Sequence, residues 1–201
     1  MMVRKGTAYV ERAHGLTQFR SDVSPYIETA IAATEEDLAV TALVAGVMAT
    51  DGADGYYARK GAALLGVPPS EEGAIKDPEA DKQLANVIMR GLIARWCRQR
   101  DFGSAAIMAA NLAASHWRDK RMSENRVVVT ESHLNPQMLK AIPTNKLKTA
   151  LQMKAGLVAM SSNKGRTRRR ALWTFTAGTL TGIAGEYQYR RNVQKLLKDS
   201  A

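Results

Sequence analysis

Four aspartates, arranged in two pairs, are the residues of this chain best suited to chemistry. Asp51 and Asp54 stand three residues apart at the end of one apolar run, and Asp77 and Asp81 stand four apart at the start of the next. On a helix, spacings of three and four put side chains on one face. If the two helices run antiparallel side by side, four carboxylates converge, and their repulsion calls for cations among them. Gly55, next to Asp54, permits the close approach of a ligand. Arg59, one turn further on, is placed to meet a phosphate. The same string also fits an acidic, solvated helix–loop–helix corner whose carboxylates pair with Arg59, Lys60, Lys76 and Lys82.

Helices must position these groups. Pro25 suits a helix start, so a first helix is expected over 25–34, followed by a solvated turn at Glu35, Glu36 and Asp37. A second helix over 38–60 carries Ala39, Ala42, Ala45, Gly46 and Ala49, small residues that allow close packing. Pro68 and Pro69 mark 61–73 as a loop. Asp77 is expected as the N-cap of a third helix with Pro78 at its first position. That helix would begin at the carboxylates, where its dipole favours anions, and run to Trp96 and the basic residues 95–100. A fourth helix is expected over 103–117, a polar connection over 119–143, and a fifth helix from Thr144. A basic turn at 166–170 precedes a sixth over 171–184, which leads to Tyr187, Tyr189, Arg190 and Arg191. The segment 1–14 reads as flexible or as an amphipathic helix suited to a membrane surface, 15–191 as one domain, and 192–201 as a polar tail.

The chain has 201 residues and a net charge of +10. That length suffices for a domain with a real core. The charge suits an anionic partner: nucleic acid, an acidic membrane surface or a phosphorylated substrate. No helix-turn-helix, zinc finger or aromatic-rich RNA motif is visible, so nucleic acid is not the expected partner. The single cysteine, Cys97, excludes an internal disulfide, and the three histidines, His14, His116 and His133, suggest no metal site. No apolar segment of signal-peptide type opens the chain. The longest runs without Asp, Glu, Lys or Arg are 102–117, 171–185 and 38–50. All fall short of the about 20 apolar residues of a membrane span. Hydropathy alone reads as a soluble or peripheral helical protein.

The motifs carry a resemblance. Asp51, Asp54, Gly55, Ala58 and Arg59, followed by Gly73, Asp77 and Asp81, are similar to the D-x-x-D-G-x-x-A-R and G-x-x-x-D-x-x-x-D signature of the CDP-alcohol phosphatidyltransferases. Asp77-Pro78-Glu79-Ala80-Asp81-Lys82 resembles the family's D-P-x-A-D-K. The thirteen residues between Arg59 and Gly73 make a longer spacer than the family's. Leu16-Thr17 and Arg20, with Pro25 beyond, resemble the opening of the first helix in bacterial members. Further matches point to the bacterial phosphatidylglycerophosphate synthase branch. Ile107-Met108-Ala109-Ala110-Asn111 followed by Arg118 is similar to that branch's I-x-A-R-E and later Arg, with Ala110 and Asn111 in place of Arg and Glu. Asn145-Lys146-Leu147-Lys148-Thr149 with Gln152 and Met153 is similar to its G-K-L-K-T-x-x-Q-M.

The resemblance implies an all-α, six-helix membrane bundle with a short N-terminal amphipathic helix and its site facing the cytoplasm. It implies Mg2+ or Mn2+ held by Asp51, Asp54, Asp77 and Asp81, with Asp81 also the general base. Thr17, Arg20, Gly55, Arg59 and Ser70 would meet the nucleotide end of the donor. Arg118, Lys146 and Lys148 would hold the acceptor's phosphate. Donor and acceptor would be CDP-diacylglycerol and glycerol 3-phosphate, with CMP released. Anionic lipids and a second copy of the chain are the implied partners.

Overall fold

The computed structural model describes residues 2–35, 38–67, 71–131, 143–162 and 164–199. Among these residues the chain forms six helices and no strand: α1 Met2–Ala33, α2 Leu38–Leu65, α3 Glu71–Arg98, α4 Phe102–Glu131, α5 Pro143–Ser161 and α6 Gly165–Asp199. Helix α3 is the central element. It supplies Leu84, Ala85, Val87, Ile88, Met89, Leu92 and Trp96 to a core completed by Ile27 and Ile31 of α1, Val44 and Val47 of α2, Met108 of α4, Met160 of α5 and Phe175 of α6. Two glycines let its neighbours come close. A Cβ on Gly91 would lie 2.8 Å from Ile31 Cβ, and one on Gly156 would lie 2.7 Å from Ile88 Cγ2.

Helix α1 is far longer than the expected 25–34. It begins at Met2 and carries Pro25 in its interior. Tertiary contacts explain the difference, because residues 2–14 lie along the far end of α2 and are not a separate surface helix. Gly61 packs against Val10, Tyr9 and the Gly6 carbonyl, Ala13 is buried, and the Tyr9 and Tyr57 rings stack at 5.8 Å. Beside Pro25, which has no N–H to give, Ser24 Oγ donates to the Arg20 carbonyl at 2.7 Å. At the other end of α1, Arg95 closes the helix. Its Nε donates to Ile31 O at 2.9 Å and its Nη2 to Thr34 Oγ1 at 3.0 Å, a cation where the helix dipole favours one.

The remaining boundaries shift for similar reasons. Helix α2 runs to Leu65 and ends at Gly66, whose φ of 66° allows Val67 N–H to reach Ala62 O at 3.2 Å, a Schellman closure. Helix α3 begins at Glu71, so Asp77 is not its N-cap and Pro78 lies well inside it. Two glutamates, 71 and 72, are residue types favoured at a helix start. Between α3 and α4 the chain turns through Arg100 at φ 60°, with Asp101 N–H on Trp96 O at 2.9 Å. Asp101 then caps α4 by accepting from Ser104 N–H at 3.1 Å, and it pairs with Arg168 of α6. Burial works against the Asp101 carboxylate, but Ser104 and Arg168 hold its pKa below the usual range.

The basic residues 166–170 form the opening turns of α6, not a separate turn. Helix α4 passes the expected stop at 117 because its buried face continues through Arg118 and Met122. Helix α6 passes 184 because Tyr189 and Val193 bury against Met122. None of the helices, over the described residues, is long and apolar enough to cross a membrane. The expected membrane-spanning character is therefore not met by any of them.

Candidate functional site

Asp51 and Asp54 of α2 do not meet Asp81 of α3 by direct packing of the two helices. Those helices barely touch, and α1 lies between them. The meeting point is a side chain of α1, the fully buried Arg20. Its Nη1 lies 2.8 Å from Asp51 Oδ1 and 3.4 Å from Asp81 Oδ1, and its Nη2 lies 2.6 Å from Asp54 Oδ2. Thr17, one turn earlier on α1, donates from Oγ1 to the same Asp54 oxygen at 3.2 Å. Desolvation opposes the charge on Arg20, but the hydrogen bond to Asp51 and the fields of Asp54, Asp81 and Asp51 raise its pKa above the usual value. One guanidinium thus gathers three carboxylates from two helices. Asp54 is buried at its base, whereas the Asp51 and Asp81 side chains are 51% and 25% exposed and open to an incoming group.

Arg59 folds back over Gly55 on α2. A Cβ at Gly55 would stand 3.3 Å from Arg59 Nη1, so a side chain there would push the guanidinium aside by a few tenths of an ångström. Beyond it, Lys60 Nζ sits 4.9 Å from the centre of the Tyr9 ring and 5.2 Å from that of Tyr56. Of the residues expected at the donor, Thr17 and Arg20 thus bridge α1 to α2, and Gly55 and Arg59 lie together on α2. Ser70 lies outside the described residues. So do the side chains of Asp77, whose backbone is in α3, and of Lys146, whose backbone is in the first turn of α5.

Arg118 of α4 and Lys148 of α5 come together on Asp119. Lys148 Nζ is 3.5 Å from Asp119 Oδ1, and Arg118 Nη1 pairs with the same oxygen. Arg118 Nε also donates to Gly182 O at 3.4 Å. Lys148 is buried, and desolvation leads the causes that bring its pKa down to about 8; Arg118 and Lys82 push the same way, while Asp119 resists. Desolvation disfavours the Asp119 charge, yet Lys148, Lys82 and Arg118 together hold its carboxyl below the usual range. Lys82 adjoins Asp81, so its field connects this cluster with the carboxylate side.

A polar ladder beneath the cluster fastens α4, α5 and α6. Gln152 Nε2 donates to Ser115 Oγ at 3.2 Å and to Thr179 Oγ1 at 3.3 Å, and Asn111 Nδ2 donates to Thr176 Oγ1 at 3.2 Å. Asn111 is thus a helix fastener, and Ala110 beside it is exposed. Sequence reading did not single out Asp119. The only available signal was a carboxylate directly after Arg118, a spacing with no motif behind it.

Among the described residues no three Asp, Glu, His or Cys side chains form a group that could hold a metal ion. Carboxylate oxygen is nevertheless the donor type that a hard divalent cation takes. Asp51, Asp54 and Asp81 offer only carboxylate oxygens, and three of them face one guanidinium.

The described helices thus gather three carboxylates from α2 and α3 on Arg20, and two buried cations from α4 and α5 on Asp119. The family model of the CDP-alcohol phosphatidyltransferases matches residues 11–183, and the chain belongs to that family. It is accordingly a transferase of substituted phosphate groups, moving one from a CDP-alcohol to an acceptor alcohol, in a family associated with membranes and phospholipid synthesis. No curated protein and no solved structure matched the chain.

Proposed function

We propose that the chain transfers the phosphatidyl group of CDP-diacylglycerol to the hydroxyl of glycerol 3-phosphate, releasing CMP. The observation that carries this reading is the gathering of Asp51, Asp54 and Asp81 on Arg20, with the buried Arg118–Lys148 cation pair within the field of Lys82, the neighbour of Asp81. In the reaction the acceptor oxygen attacks the phosphorus that bears the diacylglycerol. A P–O bond forms to the acceptor, the P–O bond to CMP breaks, and CMP leaves with the bridging oxygen and its electron pair. The acceptor hydroxyl proton passes to Asp81, a partly exposed carboxylate.

Asp51, Asp54, Asp77 and Asp81 would hold Mg2+ or Mn2+, which when bound supplies charge neutralisation at the pyrophosphate. Thr17 and Arg20 orient Asp54 and Asp51. Gly55 gives the nucleotide close access to α2, and Arg59 and Ser70 contact the donor's polar end. Lys146, Lys148 and Arg118 bind the acceptor's phosphate, which fixes its hydroxyl relative to Asp81. Positioning and charge compensation of this kind supply most of the rate in phosphoryl transfer.

The same proposal places the protein at a membrane because its donor is a lipid, and takes its site to face the cytoplasm, as the family resemblance implies. The surfaces of α4 and α6 support membrane contact. Phe102, Ile107, Trp173 and Leu180 are exposed there at 65%, 48%, 74% and 61%. Arg169 and Arg170 precede this face of α6 and Arg190 and Arg191 follow it, where anionic lipid heads would lie. A second reading, transfer to another acceptor alcohol or binding of lipid heads without turnover, draws on Ala110 and Asn111, neither of which is a charged acceptor ligand. Purified protein with CDP-diacylglycerol, Mg2+ and glycerol 3-phosphate tests the main reading. CMP should form with the wild type and fall at least a hundredfold in Asp81→Asn. Equal rates for both would rule out Asp81 as the base.

A further inference from the structure

The Arg118–Lys148 pair already holds an anion, and that anion is internal. Both cations contact one oxygen, Asp119 Oδ1. The Arg118 and Lys148 side chains are buried, at 5% and 7% exposure, while Asp119 is the most exposed of the three at 16%. The carboxylate is thus the member of the trio with the most solvent contact, and it already occupies both cations. A phosphate oxygen bonded to both cations would need the position Asp119 Oδ1 now takes.

We propose that Asp119 is a specificity-determining residue that competes with the acceptor's phosphate for Arg118 and Lys148. The inference rests on the reading of these two cations as the acceptor-phosphate site. Without substrate, Asp119 keeps two buried like charges from facing each other uncompensated. With substrate, it sets a threshold. A neutral alcohol has nothing with which to displace it, whereas a phosphate monoester dianion brings more charge and more acceptor oxygens than the carboxylate it replaces. The chemical class selected is therefore a small alcohol bearing a phosphate monoester.

The test compares wild type, Asp119→Asn and Asp119→Glu, each first checked for an intact fold by thermal melting. Calorimetric titration with inorganic phosphate and, separately, with glycerol 3-phosphate gives the affinities directly, and steady-state assays give KM and kcat. Asp119→Asn should bind both anions at least threefold more tightly and lower KM for glycerol 3-phosphate, with KM for CDP-diacylglycerol unchanged. Asp119→Glu, which keeps the competing charge, should stay within twofold of wild type. Tighter binding of glycerol 3-phosphate alone would place the competition at the whole acceptor, and tighter binding of both at the phosphate group; either supports the proposal. If Asp119 only braces the two cations, Asp119→Asn binds phosphate more weakly, and that result overturns it. Absence of phosphate binding in all three proteins overturns it too. The affinity shift is read without turnover, so a shift in a protein that releases no CMP would count against the transferase reading alone.

Discussion

Replacing Gly182 with alanine should loosen the acceptor side of the site while leaving the donor side intact. The Lys148 stem lies across Gly182 of α6. An added Cβ would stand 2.7 Å from Lys148 Cδ, 3.2 Å from Cγ and 3.5 Å from Cε. The first distance is too short to persist, and the crowded atoms are the middle of a buried side chain with little room to yield. Overpacking of this kind costs about 1–3 kcal/mol, against a gain of about 1 kcal/mol for alanine over glycine in a helix. The net destabilisation is about 1 kcal/mol, or roughly 2–4 °C in Tm for a chain of this size. The displaced ammonium leaves the 3.5 Å contact with Asp119 Oδ1. A loss of about 1 kcal/mol in phosphate contact corresponds to roughly fivefold in KM for the acceptor. Melting curves and separate KM measurements for CDP-diacylglycerol and glycerol 3-phosphate check this. A Gly182→Ala protein that melts above wild type, with acceptor KM unchanged, would refute the crowding argument.

Three further outcomes follow from the same geometry. Lys148 titrates near pH 8 beside Arg118, Lys82 and Asp119, so acceptor KM should rise as the pH passes 8 and the ammonium is lost. Lys148→Arg should remove that rise from the KM profile. Because the folded-state pKa lies below the unfolded value, stability from this group increases between about pH 8 and pH 10.4, which denaturant titrations across that window measure. Arg20→Met leaves Asp54 buried without its guanidinium, which should cost about 3–5 kcal/mol, and added Mg2+ should raise the Tm of this variant more than that of wild type. Asp101→Ala removes both the α4 cap and the Arg168 pair, so a urea titration should show a loss of about 1–3 kcal/mol. Since the Asp101 pKa is depressed, its contribution is present above about pH 4 and fades on acidification below it.

Much of the site was legible because its residues are close in sequence. The spacing from Asp51 to Asp54 and from Asp77 to Asp81 marks two helix faces without any tertiary knowledge. What brings those faces together was not legible. Arg20 reaches partners 31 and 34 residues away, and no local rule selects them. Asp119 went unmarked for a related reason, since its meaning depends on Lys148 arriving from another helix. Helix existence was readable from composition, but helix ends were not. Pro25 and Pro78 read as starts, yet tertiary contacts carry α1 back to Met2, and α3 opens at Glu71. Arg100, an arginine at a left-handed φ, gave no glycine to mark the α3–α4 turn.

The most direct measurement is the stoichiometry of transfer. Purified protein is incubated with CDP-diacylglycerol, Mg2+ and radiolabelled glycerol 3-phosphate, and CMP and lipid-extractable label are counted in the same sample. The proposed chemistry requires one labelled lipid per CMP, with both abolished by chelation of the metal. CMP without labelled lipid would show that the donor is cleaved but this acceptor is not used, and neither product from a folded protein would contradict the transferase account itself.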